Sequence, residues 1–258
     1  IIILIYYNMV KIHRMKDSTD KFTTDKGPFV PSLPARLILV SKSGGGKTSV
    51  LGNLLLKKEF YRDDFPPENI FIFTGSMGDP KINTIASQLD IPTENIIDGY
   101  DETQAGVFYD MMVDEYKQAI SEGKPPKNSL FLFDDLSYTN LLRIIKKNSI
   151  IDKIYANGRK WLISVVTTTQ KFSSINTSCR ENVTCALLWG CSNKQLELIE
   201  NDFNYLNNKK QFLKLFRDNT KEKHDFLVVD FSKKDIYRNM EFKKLCMCKG
   251  KTECDGVK

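Results

Sequence analysis

The chain has 258 residues, 41% hydrophobic and 27% charged, with 38 basic against 32 acidic side chains and a formal net charge of +6. That length and balance describe one generous α/β domain with a substantial core, and they exclude a disordered or fibrous chain. The charge tolerates an acidic partner such as nucleic acid without requiring one.

The first apolar stretch, "IIILIYY", is far shorter than the roughly 20 residues that cross a bilayer, and it lacks a signal peptide's basic leader and cleavage site. No secretion or membrane span is expected. Six irregularly spaced cysteines then read as reduced intracellular thiols. The sequence opens on Ile1 with Met9 and Met15 just downstream, so its first eight to fourteen residues read as upstream sequence or a fragment edge. Residues 1–30 form a polar leader ending in "GPFVPSLP", where prolines interrupt regular structure.

From Arg36 the pattern changes. Short runs rich in β-branched and aromatic residues recur: "RLILV", "NIFIFT", "SLFLFDD", "WLISVVTT", "CALLW" and "FLVVDF". Continuous apolar runs of this kind suit strands of a parallel sheet buried on both faces, and the stretches between them are long enough for crossover helices. Val50, Leu51, Leu54 and Leu55 share one face of a helix starting near Lys47. Val107, Phe108, Met111, Met112 and Ala119 are expected to do the same across residues 103–120. The α/β domain is drawn at residues 31–232. A basic tail follows at 233–258, in which Cys246, Cys248 and Cys254 read as free thiols, with a zinc knuckle as the lesser alternative. His13 and His224 show no catalytic constellation.

The stretch "LILVSKSGGGKTSVLGNLLL" sets a glycine-rich break between a strand and a helix. In that geometry backbone N–H groups converge on an anion at the helix N-terminus, and glycines let the backbone wrap closely. "SKSGGGKT" fits the GxxxxGK[ST] phosphate loop at every fixed place but the first, where Ser41 replaces glycine. Ser43, Gly44, Gly45, Gly46, Lys47, Thr48 and Ser49 are the expected nucleotide contacts, with Lys47 on the β- and γ-phosphates and the Thr48 hydroxyl on Mg²⁺.

"SLFLFDDLS" ends an apolar strand in two carboxylates. That strand is expected beside the phosphate-loop strand, with Asp134 as the second metal-site acid and Asp135 suited to polarise the attacking water. Together the two motifs predict a P-loop NTPase of the RecA/ASCE type, a mostly parallel central sheet flanked by helices on both faces.

Three classes compete for this site. A GTPase would read guanine through N-K-x-D, but Asn193 and Lys194 are followed by Leu196, and no glycine stands three places after Asp134. A small-molecule or nucleotide kinase would want an arginine-rich lid, and the late basic residues are scattered and mostly lysine. An ATP-driven motor is favoured by "NGRKWLISVVTTTQKFSSINTSCRENVTCALLW", in which a buried strand runs on to Gln170, poised near a γ-phosphate.

The order of phosphate loop, acidic strand end, arginine before a strand ending in glutamine, and "CREN" resembles the FtsK–HerA superfamily. Within it the chain is most similar to the genome-packaging ATPases of poxviruses, virophages and related large DNA viruses, over about Leu37 to Phe231. The resemblance implies an ATP- and Mg²⁺-dependent translocase of double-stranded DNA, acting as a hexameric or pentameric ring at a capsid vertex, in the virion or the host-cell cytoplasm. Lys47 and Thr48 would be its phosphate-loop residues, Asp134 and Asp135 its acids, and Gln170 its sensor. Arg159 would be an arginine finger acting on a neighbouring subunit, with Arg180 as a second candidate. Two departures stand out: Ser41 in the loop, and Asp rather than Glu at 135. A cellular or plasmid DNA-transfer ATPase shares the same chemistry. Arg143, Lys146, Lys147, Lys153, Arg159 and Lys160 form a basic segment suited equally to touch DNA phosphates without reading bases or to serve as a solvated helix face.

Overall fold

The computed structural model describes residues 21–27, 30–136, 149–206, 208–233 and 236–245. Its strands are β1 (Arg36–Val40), β2 (Ile70–Thr74), β3 (Ile96–Asp98), β4 (Ser129–Asp134), β5 (Ile163–Thr169), β6 (Cys185–Trp189), β7 (Phe226–Asp230) and β8 (Tyr237–Arg238). All six apolar runs are strands. The short β3 and β8 went unforeseen because neither carries an apolar run.

The strands form one sheet in the order β3-β2-β4-β5-β1-β6-β7-β8. From β3 to β6 every pairing is parallel, whereas β7 and β8 add antiparallel. One expectation fails: the acidic strand β4 does not adjoin β1, because β5 pairs with both and lies between them. With strands spaced at about 4.8 Å, this insertion sets the carboxylates roughly 10 Å from the phosphate-loop strand. That gap suits a γ-phosphate and an attacking water.

The helices are α1 (Lys47–Leu56), α2 (Pro80–Gln88), α3 (Glu102–Ser121), α4 (Ile150–Asn157), α5 (Thr177–Glu181), α6 (Asn193–Phe203) and α7 (Lys209–Asp218). Most start with a side-chain cap: Asp79 accepts from the Lys81 amide, Asp101 from Gln104, Ser149 from Asp152 and Asn208 from Gln211. α1 differs, as described below.

Alternation along the strands divides the core in two. Ile70, Ile72, Leu130 and Leu132 face α1 and α2, together with the segment containing Val30 and Leu33. Phe71, Phe73, Phe131 and Phe133 face the layer of α3, α4, α6 and α7. Register sets Phe71 opposite Phe131 and Phe73 opposite Phe133, with ring centroids 5.0 and 5.3 Å apart. Each buried phenylalanine contributes about 1.5–3 kcal/mol of transfer free energy, so these pairs hold β2 and β4 in register.

Two details depart from the sequence reading. In α3 the buried stripe is Ala105, Tyr109, Met112, Val113 and Tyr116, while Val107 and Met111 are 60% and 45% exposed. The tyrosine rings supply the apolar face that hydropathy alone assigned to Val107 and Met111. The boundary drawn at residue 232 also falls short. Beyond it β8 extends the sheet, Phe242 is buried, and the Arg238 guanidinium donates to the Phe242 carbonyl at 3.0 Å. Among the described residues no helix is long and apolar enough to cross a membrane. Cys246, Cys248, Cys254 and His13 lie outside the described residues, and Cys179, Cys185 and Cys191 are free thiols.

Candidate nucleotide site

The phosphate loop leaves β1 at Val40 and is pinned at once, since the Ser41 amide donates to the Thr169 carbonyl at 3.1 Å. The loop then folds on itself through a bond from the Gly45 amide to the Lys42 carbonyl at 3.2 Å. Gly44 and Gly46 have φ of 72° and 107°, a left-handed region that costs a side-chain-bearing residue energy. Gly46 is the N-cap of α1, which has no side-chain cap and no acid in its first turn. The amides of that turn are therefore left for an anion, and the helix dipole favours one. Lys47 is buried, and its ammonium donates to the Ser41 carbonyl at 2.9 Å. Burial lowers the Lys47 pKa, while the nearby charges of Asp135 and Asp134 act to raise it. Ser43 is exposed beside Gly44 and Thr48 follows Lys47 half-buried, whereas the Ser49 hydroxyl is engaged elsewhere, accepting from Lys81 at 2.8 Å.

Ser41 fits because of its neighbour. Its hydroxymethyl group is buried and occupies the space that a Cβ on Gly45 would need. The first glycine of the usual loop and the freely chosen fifth residue have in effect exchanged roles.

Across the sheet edge, register aligns Thr74, Asp134 and Thr168 on β2, β4 and β5. Asp134 is buried, and each of its oxygens accepts a threonine hydroxyl, Thr168 at 2.7 Å and Thr74 at 3.2 Å. Burial pushes its carboxyl above the ordinary value. The two hydroxyls oppose the rise, and the charges of Asp135 and Asp79 add to it. Asp135 has φ of 44°, and its amide donates to Thr168 at both the carbonyl (3.2 Å) and the hydroxyl (3.1 Å). This turns the carboxylate back over β5, where it accepts from the Gln170 amide at 2.8 Å. The acid expected to polarise water and the expected sensor, far apart in sequence, touch.

The arginines lie elsewhere. Arg159 is exposed at the start of β5, the end opposite Gln170. Seven residues at about 3.3 Å each put roughly 20 Å between that end and the site, beyond the reach of an arginine in its own subunit. Arg180 does not stand free. It pairs with Asp202 at 3.3 Å, lies 5.0 Å from the Phe172 ring and donates to Thr177. Of the basic segment, Arg143, Lys146 and Lys147 fall outside the described residues. Lys153, Arg159 and Lys160 are all exposed in its described part, and Lys153 is engaged by Asp110 at 3.3 Å and by the Tyr109 ring.

Sequence reasoning missed Thr74, Thr168 and His224. A threonine closing each apolar strand was a usable signal for the first two. His224 had none: its ring donates from Nδ1 to the Gly45 carbonyl at 3.1 Å, a contact made only by the fold. Oxygen donors at Thr48 and Asp134 suit a hard divalent cation such as Mg²⁺, and a buried carboxylate that desolvation disfavours gains from one.

An anion cradle facing two acids across an inserted, glutamine-ended strand belongs to the P-loop NTPase fold, and this chain has that fold. The family model described as "Poxvirus A32 protein" matches residues 29–247, most of the chain, and the chain belongs to that family. No curated protein sequence matches it. Among solved structures it is similar to the genome packaging NTPase B204 of Sulfolobus turreted icosahedral virus 2. With AMPPCP bound, that protein is 12% identical with a TM-score of 0.54, over 76% of this chain and 92% of that one. Its AMP complex gives 12% and 0.55, over 80% and 96%. The DNA-packaging ATPase B204 of Sulfolobus turreted icosahedral virus gives 12% and 0.53, over 80% and 97%. At such identity the likeness speaks for the fold. Together with the family it upholds the resemblance to the FtsK–HerA packaging ATPases.

Proposed function

We propose that this chain is the ATP-driven motor that moves double-stranded viral DNA into a capsid, and that Asp135 and Gln170 govern its hydrolytic step. The contact between those two side chains, 2.8 Å long at the site edge of the sheet, carries the reading.

The phosphate-loop amides and Lys47 bind the triphosphate and draw charge toward the β–γ bridge as it breaks. Asp135 accepts a proton from water as that oxygen bonds the γ-phosphorus, releasing ADP and phosphate. Gln170 orients both the acid and the water. Thr48 and Asp134 would hold Mg²⁺, which neutralises phosphate charge when bound. Thr74 and Thr168 keep the Asp134 oxygens aimed. Aspartate at 135 reaches one methylene less than glutamate, which favours slow turnover until the interface closes.

Exposure and distance from its own site support Arg159 as a finger supplied to a neighbour. Hydrolysis would then depend on assembly into a closed ring, hexameric or pentameric. Arg180, tied to Asp202, is better suited to fix α5 against α6. Non-specific DNA contact through the basic segment, docking at a capsid vertex, and residence in the virion or the cytoplasmic virus factory complete the proposal.

The test is ATP hydrolysis with and without duplex DNA, with Lys47→Ala as control. Stimulation by DNA that the control abolishes is expected. Phosphate transfer to a small acceptor, with indifference to DNA, would favour a kinase instead.

A further inference from the structure

The antiparallel course of β7 has a consequence at the site. A strand antiparallel to β6 must begin where β6 ends, at the same sheet edge as the phosphate loop; Phe226 pairs with Trp189. The turn before it, between α7 and β7, is thereby delivered against that loop. It is rigid. The Asp225 amide donates to the Glu222 carbonyl at 3.2 Å, and the Glu222 amide donates to the Asp225 carboxylate at 3.1 Å. On its other side the Thr220 carbonyl lies so near Gly190, at the end of β6, that a Cβ there would come within 3.2 Å of it.

Two side chains of this turn reach the loop. His224 Nδ1 lies 3.1 Å from the Gly45 carbonyl, which can only accept, so that nitrogen carries the proton. The Lys223 ammonium lies 3.9 Å from the place a Gly44 Cβ would occupy. Both contacts fall on the glycines whose backbone must wrap the anion. Both side chains are exposed, so the fold does not require them for its core.

We propose that Lys223 and His224 form a second arm of the nucleotide site. His224 is a positioning residue that fixes the Gly45 carbonyl outward, so that the amides after it point inward to the phosphates. Lys223 is a further cation for the polyphosphate of a nucleoside di- or triphosphate, beside Lys47. Because α7 carries the arm, nucleotide binding is linked to the α7–β7 edge of the domain. The proposal rests on the nucleotide reading above.

The experiment is a titration of full-length protein with fluorescent ATP, ADP and AMP analogues, alongside steady-state ATPase kinetics. One hydrogen bond of about 1 kcal/mol corresponds to roughly fivefold in affinity, and His224→Ala is expected to raise Kd and KM by about that factor, with kcat little changed. His224→Asn, which keeps a donor, should recover part of the loss. Lys223→Ala should weaken ATP and ADP more than AMP, and Lys223→Arg should restore them. Equal loss for all three nucleotides would overturn the charge role, and unchanged Kd and KM in His224→Ala would overturn the positioning role. Comparison with Lys47→Ala separates the cases: if wild type binds no nucleotide, or Lys47→Ala binds as tightly as wild type, the underlying site reading fails rather than the arm. Thermal melting of each variant reports whether the fold is intact.

Discussion

Ser41 and Gly45 share one volume: the Ser41 hydroxyl fills the space that any side chain at 45 would occupy. Gly45→Ala should therefore be overpacked, costing about 1–3 kcal/mol and weakening ATP binding, while Ser41→Gly alone is tolerated. The double variant should recover most of the loss. A double-mutant cycle of melting temperature and nucleotide Kd measures the coupling, and strict additivity would mean the two positions do not compete.

Gln170→Ala should leave ATP affinity within a few-fold of wild type and lower kcat. Asp135→Asn, which removes the proposed base, is expected to cost about 10²–10⁴ in kcat, in line with the loss of a general base. Single-turnover hydrolysis under saturating ATP separates the chemical step from product release. A change confined to KM in both variants would assign the pair to binding instead.

Arg159→Ala should bind ATP normally and lose about 10³-fold or more of its DNA-stimulated turnover, the scale of an arginine finger. Mixing it with Lys47→Ala subunits offers a sharper reading. Each variant supplies what the other lacks at one kind of interface, so mixed assemblies should regain activity that neither has alone. Arg180→Ala should instead lower the melting temperature with turnover following stability.

Burial raises the Asp134 pKa and lowers that of Lys47, so each charge is held at some expense to the nucleotide-free fold. The sign follows for Asp134. Between its ordinary carboxylate value and its raised folded value the folded state binds more protons, so its contribution to stability falls as pH rises through that window. Asp134→Asn, which keeps shape and hydrogen-bonding capacity, should raise the melting temperature of the nucleotide-free protein at neutral pH while abolishing turnover. Mg²⁺ with ATP should stabilise wild type far more than the variant. A lower melting temperature for Asp134→Asn without nucleotide would show that the two threonine hydroxyls outweigh desolvation.

Cross-strand phenylalanine packing behind the site gives a purely structural expectation. Phe133→Ala should destabilise by about 3–5 kcal/mol, read from denaturant midpoints, because the rings of Phe73 and Tyr100 that lie against it cannot close the cavity.

Much that depends on local chemistry was legible in the chain itself. A strand–glycine–helix junction can bind an anion wherever it occurs, so the phosphate loop declared itself. Six apolar runs too continuous for a half-exposed sheet declared a buried one, and a strand ending in two carboxylates declared the acids. What needed the tertiary structure was adjacency. Strand order is set by which edges pair, and that put β5 between β4 and β1, brought Gln170 onto Asp135 and lined up Thr74 and Thr168 on Asp134. The antiparallel turn of β7 carried His224 to Gly45, from a segment with no local signal at all. Even the Ser41 exception, visible as a misfit in the motif, was explained only by the room that Gly45 leaves for its hydroxyl, because steric room is a property of atoms brought together by folding and not of their order along the chain.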